Sequence, residues 1–434
     1  MKRGFFTIMS AQFFSSLADN ALFVAAVELL RTGGAPEWQR AALVPMFALF
    51  YVVLAPFVGA FADALPKGRV MFFSNAIKIV GCLMMLFGMH PLAAYAVVGL
   101  GAAAYSPAKY GILTELLPAS QLVKANGWIE GLTIASIILG VLLGGQLVGQ
   151  RLSALLLSID LPVIDLGIDS AADAAIAALI LVYALAAWFN LRIPHTGVEM
   201  RPLRQDPARS VTANTLALLP DFWTCNNRLW RDRLGQISLA TTTLFWGAGG
   251  NLKFIVLAWA AVALGYNTTN AAALTGVVAI GTAAGAVLAS VRMRLDNATQ
   301  VIPLGIAMGL LLILMVFIKS IWLAVPFLIL LGGLGGFLVV PMNALLQHRG
   351  HNLMGAGRSI AVQNFNEQAA ILGMGALYSL SLKLGLSVFG AITVFGVVVA
   401  GAMGLIRHWH LHNCRHHTAE VTHLLTIARR DPHL

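Results

Sequence analysis

Twelve long apolar segments constrain this chain more than any other feature of its sequence. A helix that crosses a bilayer needs about 20 mostly apolar residues, and each segment is long enough. The chain is 59% hydrophobic and 11% charged, whereas soluble domains are about 25% charged. A soluble enzyme is therefore excluded, and the sequence predicts an all-α integral membrane protein with twelve transmembrane helices. The predicted spans are 5–30, 40–62, 70–89, 91–113, 123–149, 172–193, 236–264, 270–291, 301–319, 321–345, 358–383 and 385–407.

The basic residues predict how these spans are oriented. An even number of spans places both termini on one side, and 20 of the 28 lysines and arginines fall on that side. Because basic residues are enriched in cytoplasmic loops, we expect both termini in the cytoplasm. The net charge of +10 then reflects topology and contact with anionic membrane lipids, and no nucleic-acid partner is expected.

One long loop divides the spans into two sets of six. The predicted parts are an N-terminal bundle, 1–193, a central loop, 194–235, a C-terminal bundle, 236–407, and a His-rich cytoplasmic tail, 408–434. A weak internal repeat pairs Pro107 with Pro341 and Glu130 with Glu367. Two parallel six-helix repeats joined by a cytoplasmic loop resemble the plan of major facilitator transporters.

Two cytoplasmic segments leave alternatives open. Residues 216–234 mix leucine and tryptophan with arginine, which is typical of an amphipathic helix on the membrane surface, or of a flexible linker. The tail carries histidines and Cys414 at close spacing, but it lacks the longer spacing of a structural zinc module. We expect a solvated tail and no metal site.

Six ionisable side chains lie inside predicted spans, where a charge costs about 2.5–3.5 kcal/mol on insertion scales. The three acids and three bases balance, which indicates pairing. Either they form a polar seam that contacts a charged substrate, or they are buried ion pairs that fix helix packing. For Lys78 a contact with substrate is disfavoured, because its long side chain can reach the inner interface. The candidate substrate-binding residues are Asp19, Lys253, Asn20, Gln12, Trp246, Lys109, Glu130, Asn364 and Glu367.

The loop between the second and third spans carries a second motif. Gly59, Asp63, Lys67 and Arg69 resemble the loop signature of the major facilitator superfamily. The glycine permits close helix approach, and the charges would make contacts between helices that favour one state of the cycle. We predict a gating role for these four residues.

No catalytic motif is found. The sequence lacks a P-loop, a G-x-S-x-G elbow, an H-E-x-x-H pair and a dinucleotide fingerprint, and its three cysteines are far apart. Neither an enzyme nor a cofactor is expected.

Several stretches resemble the bacterial lysophospholipid transporter family. They include Asp19-Asn20-Ala21-Leu22, residues 102–113, 122–127, 244–249, 340–347 and 361–364. The resemblance implies movement of lysophosphatidylethanolamine and lysophosphatidylglycerol from the outer to the inner leaflet of the bacterial inner membrane. A cytoplasmic acyltransferase–acyl carrier protein synthetase would then restore the missing acyl chain.

The same resemblance assigns roles to two charged residues. Asp19 matches the family's acid in the first helix, and Lys253 stands where the family has a basic residue, usually arginine. We expect Asp19 and Lys253 to pair when the site is empty and to bind the headgroup ammonium and phosphate when it is filled. Two alternatives remain open, namely a major facilitator porter for drugs or other small solutes, and a non-transporting membrane scaffold for the acyltransferase.

Overall fold

The computed structural model describes residues 3–35, 37–158, 170–203, 210–266 and 268–430. Within them the regular structure is helical. The first half contains α1 (Arg3–Thr32), α2 (Glu37–Val53), α3 (Ala55–Ala64), α4 (Lys67–Leu86), α5 (Pro91–Leu116), α6 (Ala119–Leu147), α7 (Gln150–Leu157) and α8 (Ala171–Leu191). The central segment contains α9 (Val211–Leu216) and α10 (Leu218–Arg231). The second half contains α11 (Gly235–Leu264), α12 (Thr268–Arg292), a short 3₁₀ helix (Leu295–Val301), α13 (Ile302–Met315), α14 (Ile321–Met354), α15 (Ala356–Lys383), α16 (Val388–His416) and α17 (Thr418–Arg430).

The all-α membrane fold is confirmed. Among the described residues nine helices are long and apolar enough to cross a bilayer, or ten if one bent pair is a single span. The remaining two predicted spans coincide with α5 and α15, which are 26 and 28 residues long but are not among those apolar helices. The nine helices, the bent pair, α5 and α15 thus lie at the twelve predicted span positions.

The bent pair occupies the position of the predicted second span. Residues Ala42–Val53 and Ala55–Ala64 meet at an angle of 65°, with Leu54 between them. Pro56 stands in the first turn of α3. Because a proline ring clashes with the preceding turn and lacks an N–H group, it breaks or kinks a helix. The position of the kink therefore follows from the local sequence around Pro56.

The chain forms two compact units. The first contains residues 1–116, 135–222 and 355–362, and the second contains 117–134, 223–354 and 363–434. The predicted division into bundles 1–193 and 236–407 stays a prediction.

Small residues allow close helix packing inside the first unit. Its core lies where α1 packs on α8, and α4 packs on α5 and α8. A Cβ atom added at Gly140 or Gly144 would clash with the backbone oxygen of Leu17 or Ala21, on α1. The glycine spacing of α6 therefore brings it against α1, as small-residue motifs do in membrane helices.

Small residues also allow close helix packing inside the second unit. Its α12 packs on α14, and α13 packs on α16. Cβ atoms at Gly281 and Gly285 would clash with the backbone of α14 at Ile329 and Gly333, and one at Gly332 would clash with Val278 of α12. The glycine-rich stretch of the tenth predicted span therefore serves tight packing.

The central segment is helical over Leu218–Arg231, as the amphipathic-helix alternative predicts and the flexible linker does not, and the tail contains more helix than the sequence predicts. Leu218, Phe222, Cys225 and Leu229 are buried on one face of α10, and Trp230 stacks on Trp409 of α16 at 6.4 Å between ring centroids. Much of α10 thus packs on protein. The predicted twelfth span continues as helix to His416, and α17 follows. No cluster of metal-ligand residues occurs in the described parts of the chain.

Candidate functional site

A charged cluster lies in the core of the first unit. The Nζ atom of Lys78, on α4, is 2.7 Å from Oδ2 of Asp19, on α1, and it donates to Ser15 Oγ at 3.0 Å. The hydroxyl of Tyr183, on α8, donates to the other carboxylate oxygen of Asp19 at 2.7 Å. Two helices, α4 and α8, therefore donate to one carboxylate on a third helix, α1.

Further contacts complete the surroundings of Lys78. Its ammonium lies 5.0 Å from the ring centroid of Tyr105 and 5.5 Å from that of Tyr183, within range of cation–π attraction. Ser15 in turn donates to Asn75 Oδ1 at 2.7 Å, which extends the hydrogen-bond network to a second residue of α4. The charge of Lys78 is thus compensated by one carboxylate, one hydroxyl and two aromatic rings.

The structure corrects one expectation about this cluster. The Lys78 side chain is 1% exposed, so it does not extend to the interface. Asp19 is paired with Lys78 in this structure, and the expected pairing of Asp19 with Lys253 stays a prediction. Polar residues at Ser74, Asn75 and Lys78 share one face of α4, because positions three and four apart lie on the same side of a helix. This spacing was the signal that could have revealed Lys78.

The other candidates of the first unit differ in their surroundings. Gln12, on α1, is 1% exposed. Asn20 donates to the backbone oxygen of Ser16 at 2.8 Å, which turns its amide back onto its own helix. Lys109 is half-buried, and its ammonium lies 4.5 Å from the ring centroid of Tyr110.

Lys253 has a different environment in the second unit. It is exposed on α11, and its ammonium lies 5.0 Å from the ring centroid of Phe254. Among the described residues no carboxylate lies within ion-pair distance of it. Trp246, about two turns earlier on α11, is half-buried. Lys253 is therefore a cation on a membrane helix with room for an anionic ligand.

A chain of amides surrounds the acids of the second unit. Gln363 Nε2 donates to Glu367 Oε1 at 2.7 Å and to Asn343 Oδ1 at 3.0 Å. Glu367 is 8% exposed and Glu130 is 4% exposed. Asn364, next to Gln363 on α15, is half-buried.

A second amide pair lies in the same unit. Asn126 and Gln347 exchange two hydrogen bonds, both 2.9 Å long, between α6 and α14. The sequence analysis missed Asn343 and Gln347, which stand two and six residues after Pro341, in a stretch that it used only for the repeat and for the family resemblance.

Three of the four predicted gating residues, Gly59, Asp63 and Lys67, lie in one compact charged cluster in the first unit. Lys67 Nζ lies 3.0 Å from Asp63 Oδ1 and 3.2 Å from Glu115 Oε1. The two oxygens of Asp63 also accept from the backbone N–H groups of Gly357 and Arg358 at 2.7 and 3.0 Å. These groups lie in the first turn of α15, where free N–H groups favour a negative charge.

Arg358 takes the place that the sequence analysis gave to Arg69. Its Nη1 lies 3.4 Å from Asp63 Oδ2, and its Nε donates to Asp221 Oδ2 at 2.8 Å. Arg69 is exposed, because it stands two residues after Lys67 and so points about 200° away around the helix. The sequence analysis had counted Arg358 only as a topology charge.

Gly59 lies at the point of closest approach in this cluster. A Cβ atom there would lie 2.7 Å from Ala361 Cβ and 3.1 Å from Arg358 Cα. The backbone of α3 therefore approaches the start of α15 as only glycine allows. The gating role of these residues stays a prediction.

The family model described as Major Facilitator Superfamily matches residues 8–374. The chain belongs to the major facilitator superfamily. The solved structures agree with this assignment at the level of the fold. This major facilitator chain superposes on the human organic anion transporter MFSD10 with a TM-score of 0.67 at 15% identity, covering 94% of this chain and 100% of the other. A bacterial homologue of ferroportin in an outward-facing state gives a TM-score of 0.65 at 13% identity, with coverages of 95% and 99%.

Relatives of higher identity are found among bacterial superfamily members. The lysophospholipid transporter LplT of Yersinia enterocolitica is 41% identical over 395 residues, which is 89% of each chain. The lysophospholipid transporter LplT of Yersinia pestis is 40% identical over 391 residues, which is 89% of this chain and 88% of the other. The resemblance seen in the sequence therefore extends over most of the protein.

Proposed function

We propose that the protein is a lysophospholipid transporter of the bacterial inner membrane, with both termini in the cytoplasm. Identities of 40–41% to proteins named for this activity support the proposal. The single structural observation that carries it is the environment of Lys253. A cation on a membrane helix is costly and marks a ligand site unless it is paired.

The chemistry of a lysophospholipid fits such a cation. Every member of the class carries a phosphate, whatever its headgroup. The ammonium of Lys253 is exposed and has an aromatic neighbour in Phe254, so a phosphate can approach it without first breaking an ion pair with a described residue. A lysine binds phosphate as a point charge, whereas arginine binds it through two parallel hydrogen bonds.

Asp19 provides the opposite charge. Its side chain is 19% exposed, whereas that of Lys78 is 1% exposed, so the carboxylate retains an accessible side while Lys78 holds it from within. The headgroup ammonium of lysophosphatidylethanolamine would bind to this accessible side. Lys78 and Tyr183 then orient the acid, and they also supply part of its neutralisation when no substrate is present.

The acyl chain restricts the route of the substrate. Each CH₂ group that leaves lipid for water costs about 0.8 kcal/mol, or about 13 kcal/mol for a 16-carbon chain. The headgroup therefore follows the polar residues while the chain stays in lipid. Movement runs from the outer to the inner leaflet, where a cytoplasmic acyltransferase–acyl carrier protein synthetase would reacylate the product.

Uptake into proteoliposomes tests the proposal. Purified protein is reconstituted, lysophosphatidylethanolamine with a radiolabelled headgroup is added outside, and the fraction protected from extraction by albumin is measured. We expect uptake by the wild type, and loss of uptake with Lys253→Ala and with Asp19→Asn. Lys319→Ala removes an exposed lysine outside the site and should transport normally.

Each outcome of this experiment is informative. Wild-type rates in both Lys253→Ala and Asp19→Asn would overturn the assigned site. Failure of the wild type to take up lysolipid, together with uptake of a water-soluble solute, would favour the small-solute porter. Uptake of neither, with binding of the acyltransferase, would favour the scaffold.

A further inference from the structure

An apolar groove lies on the outside of the second unit, away from the candidate substrate residues. Its volume is about 670 Å³, within the range of ligand pockets. Its lining residues come from α10, α11, α15 and α16, and several of them are small. The residues that define it are Trp230, Ala240, Ala370, Gly373, Ala402 and Trp409.

The groove faces outward, where a membrane protein meets lipid. Leu405, in its wall, is 72% exposed, and Gly373 is exposed as well. From Trp409 to Ala402 the helix rises about 10 Å, which is less than half of a hydrocarbon core of about 30 Å. The groove thus occupies the depth of one leaflet, beginning at the end where α16 leaves the membrane.

Two stacked indoles mark the interfacial end of the groove. The rings of Trp230 and Trp409 are 6.4 Å apart and inclined by 6°. Tryptophan is enriched where the hydrocarbon core meets the headgroups. The stacked pair therefore indicates the height at which a lipid headgroup would lie.

A cationic side chain stands next to this pair. Arg231 follows Trp230 directly in the chain. It is exposed and forms no ion pair with a described residue, whereas the nearby Arg233 is engaged by Glu420 at 3.4 Å. An exposed arginine beside the tryptophan end of an apolar groove matches an anionic headgroup above an acyl chain. Arg407, by contrast, lies about 200° around α16 from Trp409 and so faces away from the groove.

We propose that this groove binds a resident anionic diacyl phospholipid of the adjacent leaflet. One acyl chain lies along Ala402 and Gly373, and the headgroup phosphate lies beside Trp409 and Arg231. The lipid is a bound component of the second unit and is not the transported substrate. The proposal does not depend on the proposed function.

Glycine supplies matched variants for the test. A Cβ atom added at Gly373 meets no heavy atom within 4 Å, and the same holds for Gly401 on α16. Gly373→Leu therefore fills the groove without disturbing the backbone, and Gly401→Leu adds the same side chain outside the lining. Ala402→Leu fills the groove from the opposite wall and serves if Gly373→Leu fails to fold.

Native mass spectrometry measures the bound lipid. The full-length protein is equilibrated with equal parts of diacyl phosphatidylglycerol and diacyl phosphatidylethanolamine, and bound lipid is counted after release from detergent. We expect the wild type and Gly401→Leu to retain phosphatidylglycerol, and both groove-filling variants to lose it. Arg231→Gln should weaken retention about fivefold, whereas Arg407→Gln, on the far side of α16, should not.

The proposal is overturned if the groove-filling variants retain phosphatidylglycerol as the wild type does. Equal retention of phosphatidylethanolamine would remove the role of Arg231 and overturn the proposal as well. Retention of a single-chain lipid in place of the diacyl lipid would show that the groove belongs to the transport pathway. All variants are first compared by thermal unfolding, so that lost binding is not confused with lost folding.

Discussion

The Nζ atom of Lys78 lies 2.7 Å from Oδ2 of Asp19, and this ion pair joins α4 to α1 in the core of the first unit. Tyr183 closes the other side of the carboxylate from α8. The arrangement gives Asp19 two roles, since the same carboxylate neutralises a buried lysine and presents an accessible face. A mutation of either partner therefore affects folding as well as any ligand binding.

Removing Lys78 should destabilise the protein strongly. Lys78→Met leaves Asp19 without its counter-ion, and breaking a buried pair from one side typically costs about 3–5 kcal/mol. Asp19→Asn removes the charge that Lys78 neutralises and is expected to destabilise too. The double variant Asp19→Asn/Lys78→Met should recover much of the loss, because neither charge remains unpaired.

Thermal unfolding in detergent checks this double-mutant cycle. Lys319→Met, which alters an exposed lysine, is the matched control and should leave the unfolding temperature unchanged. Additive losses in the double variant would contradict a direct coupling between the two charges.

The fold was largely readable from the sequence, because helix length and apolar content are set by the bilayer. Each predicted span coincides with a long helix or with the bent pair α2 and α3. The bend itself depends on Pro56, a local signal that the span prediction did not use. The helical continuation of the tail to His416 could not be read from hydropathy, because its histidines and arginines are polar.

The candidate site was only partly readable, because partners are decided by tertiary packing. Asp19 stood out as a charge in an apolar helix, but nothing in the linear sequence specifies that α4 brings Lys78 to it. The contact between Arg358 and Asp63 was missed for a related reason. A basic residue at the start of a span is ordinarily interpreted as a charge that orients the helix in the membrane, and only the fold shows that Arg358 contacts Asp63.

Arg358 and Arg69 should respond differently to substitution, because Arg358 contacts Asp63 whereas Arg69 is exposed. Arg358→Gln removes a buried cation that contacts both Asp63 and Asp221, and it should destabilise by about 3 kcal/mol and lower the transport rate. Arg69→Gln alters an exposed side chain and should stay within about 0.5 kcal/mol of the wild type. Unfolding temperature and lysolipid uptake measured on both variants make the comparison, and equal effects would restore Arg69 to the gating cluster.

Gly59 should not tolerate even a methyl group. Gly59→Ala places a Cβ atom 2.7 Å from Ala361 Cβ, so α3 and the start of α15 must separate. The separation stretches the hydrogen bonds from the N–H groups of Gly357 and Arg358 to Asp63, and we expect a lower uptake rate together with a loss of about 1–3 kcal/mol from overpacking.

Gly131→Ala is the control for this substitution, since its added Cβ atom meets nothing within 4 Å and alanine is the better helix former. Its unfolding temperature should match or exceed that of the wild type. A normal uptake rate in Gly59→Ala would show that the close approach is not needed for gating.

Asn126 and Gln347 should behave as a coupled pair in the second unit. Their two reciprocal hydrogen bonds are buried, so Asn126→Ala leaves the amide of Gln347 without its partner at a cost of about 1–3 kcal/mol. Gln347→Met should cost a similar amount for the same reason. The double variant removes both amides and should cost less than the sum of the single variants, because no buried polar group is left unsatisfied. Unfolding in detergent measures the cycle, and strictly additive losses would mean that the two amides do not stabilise each other.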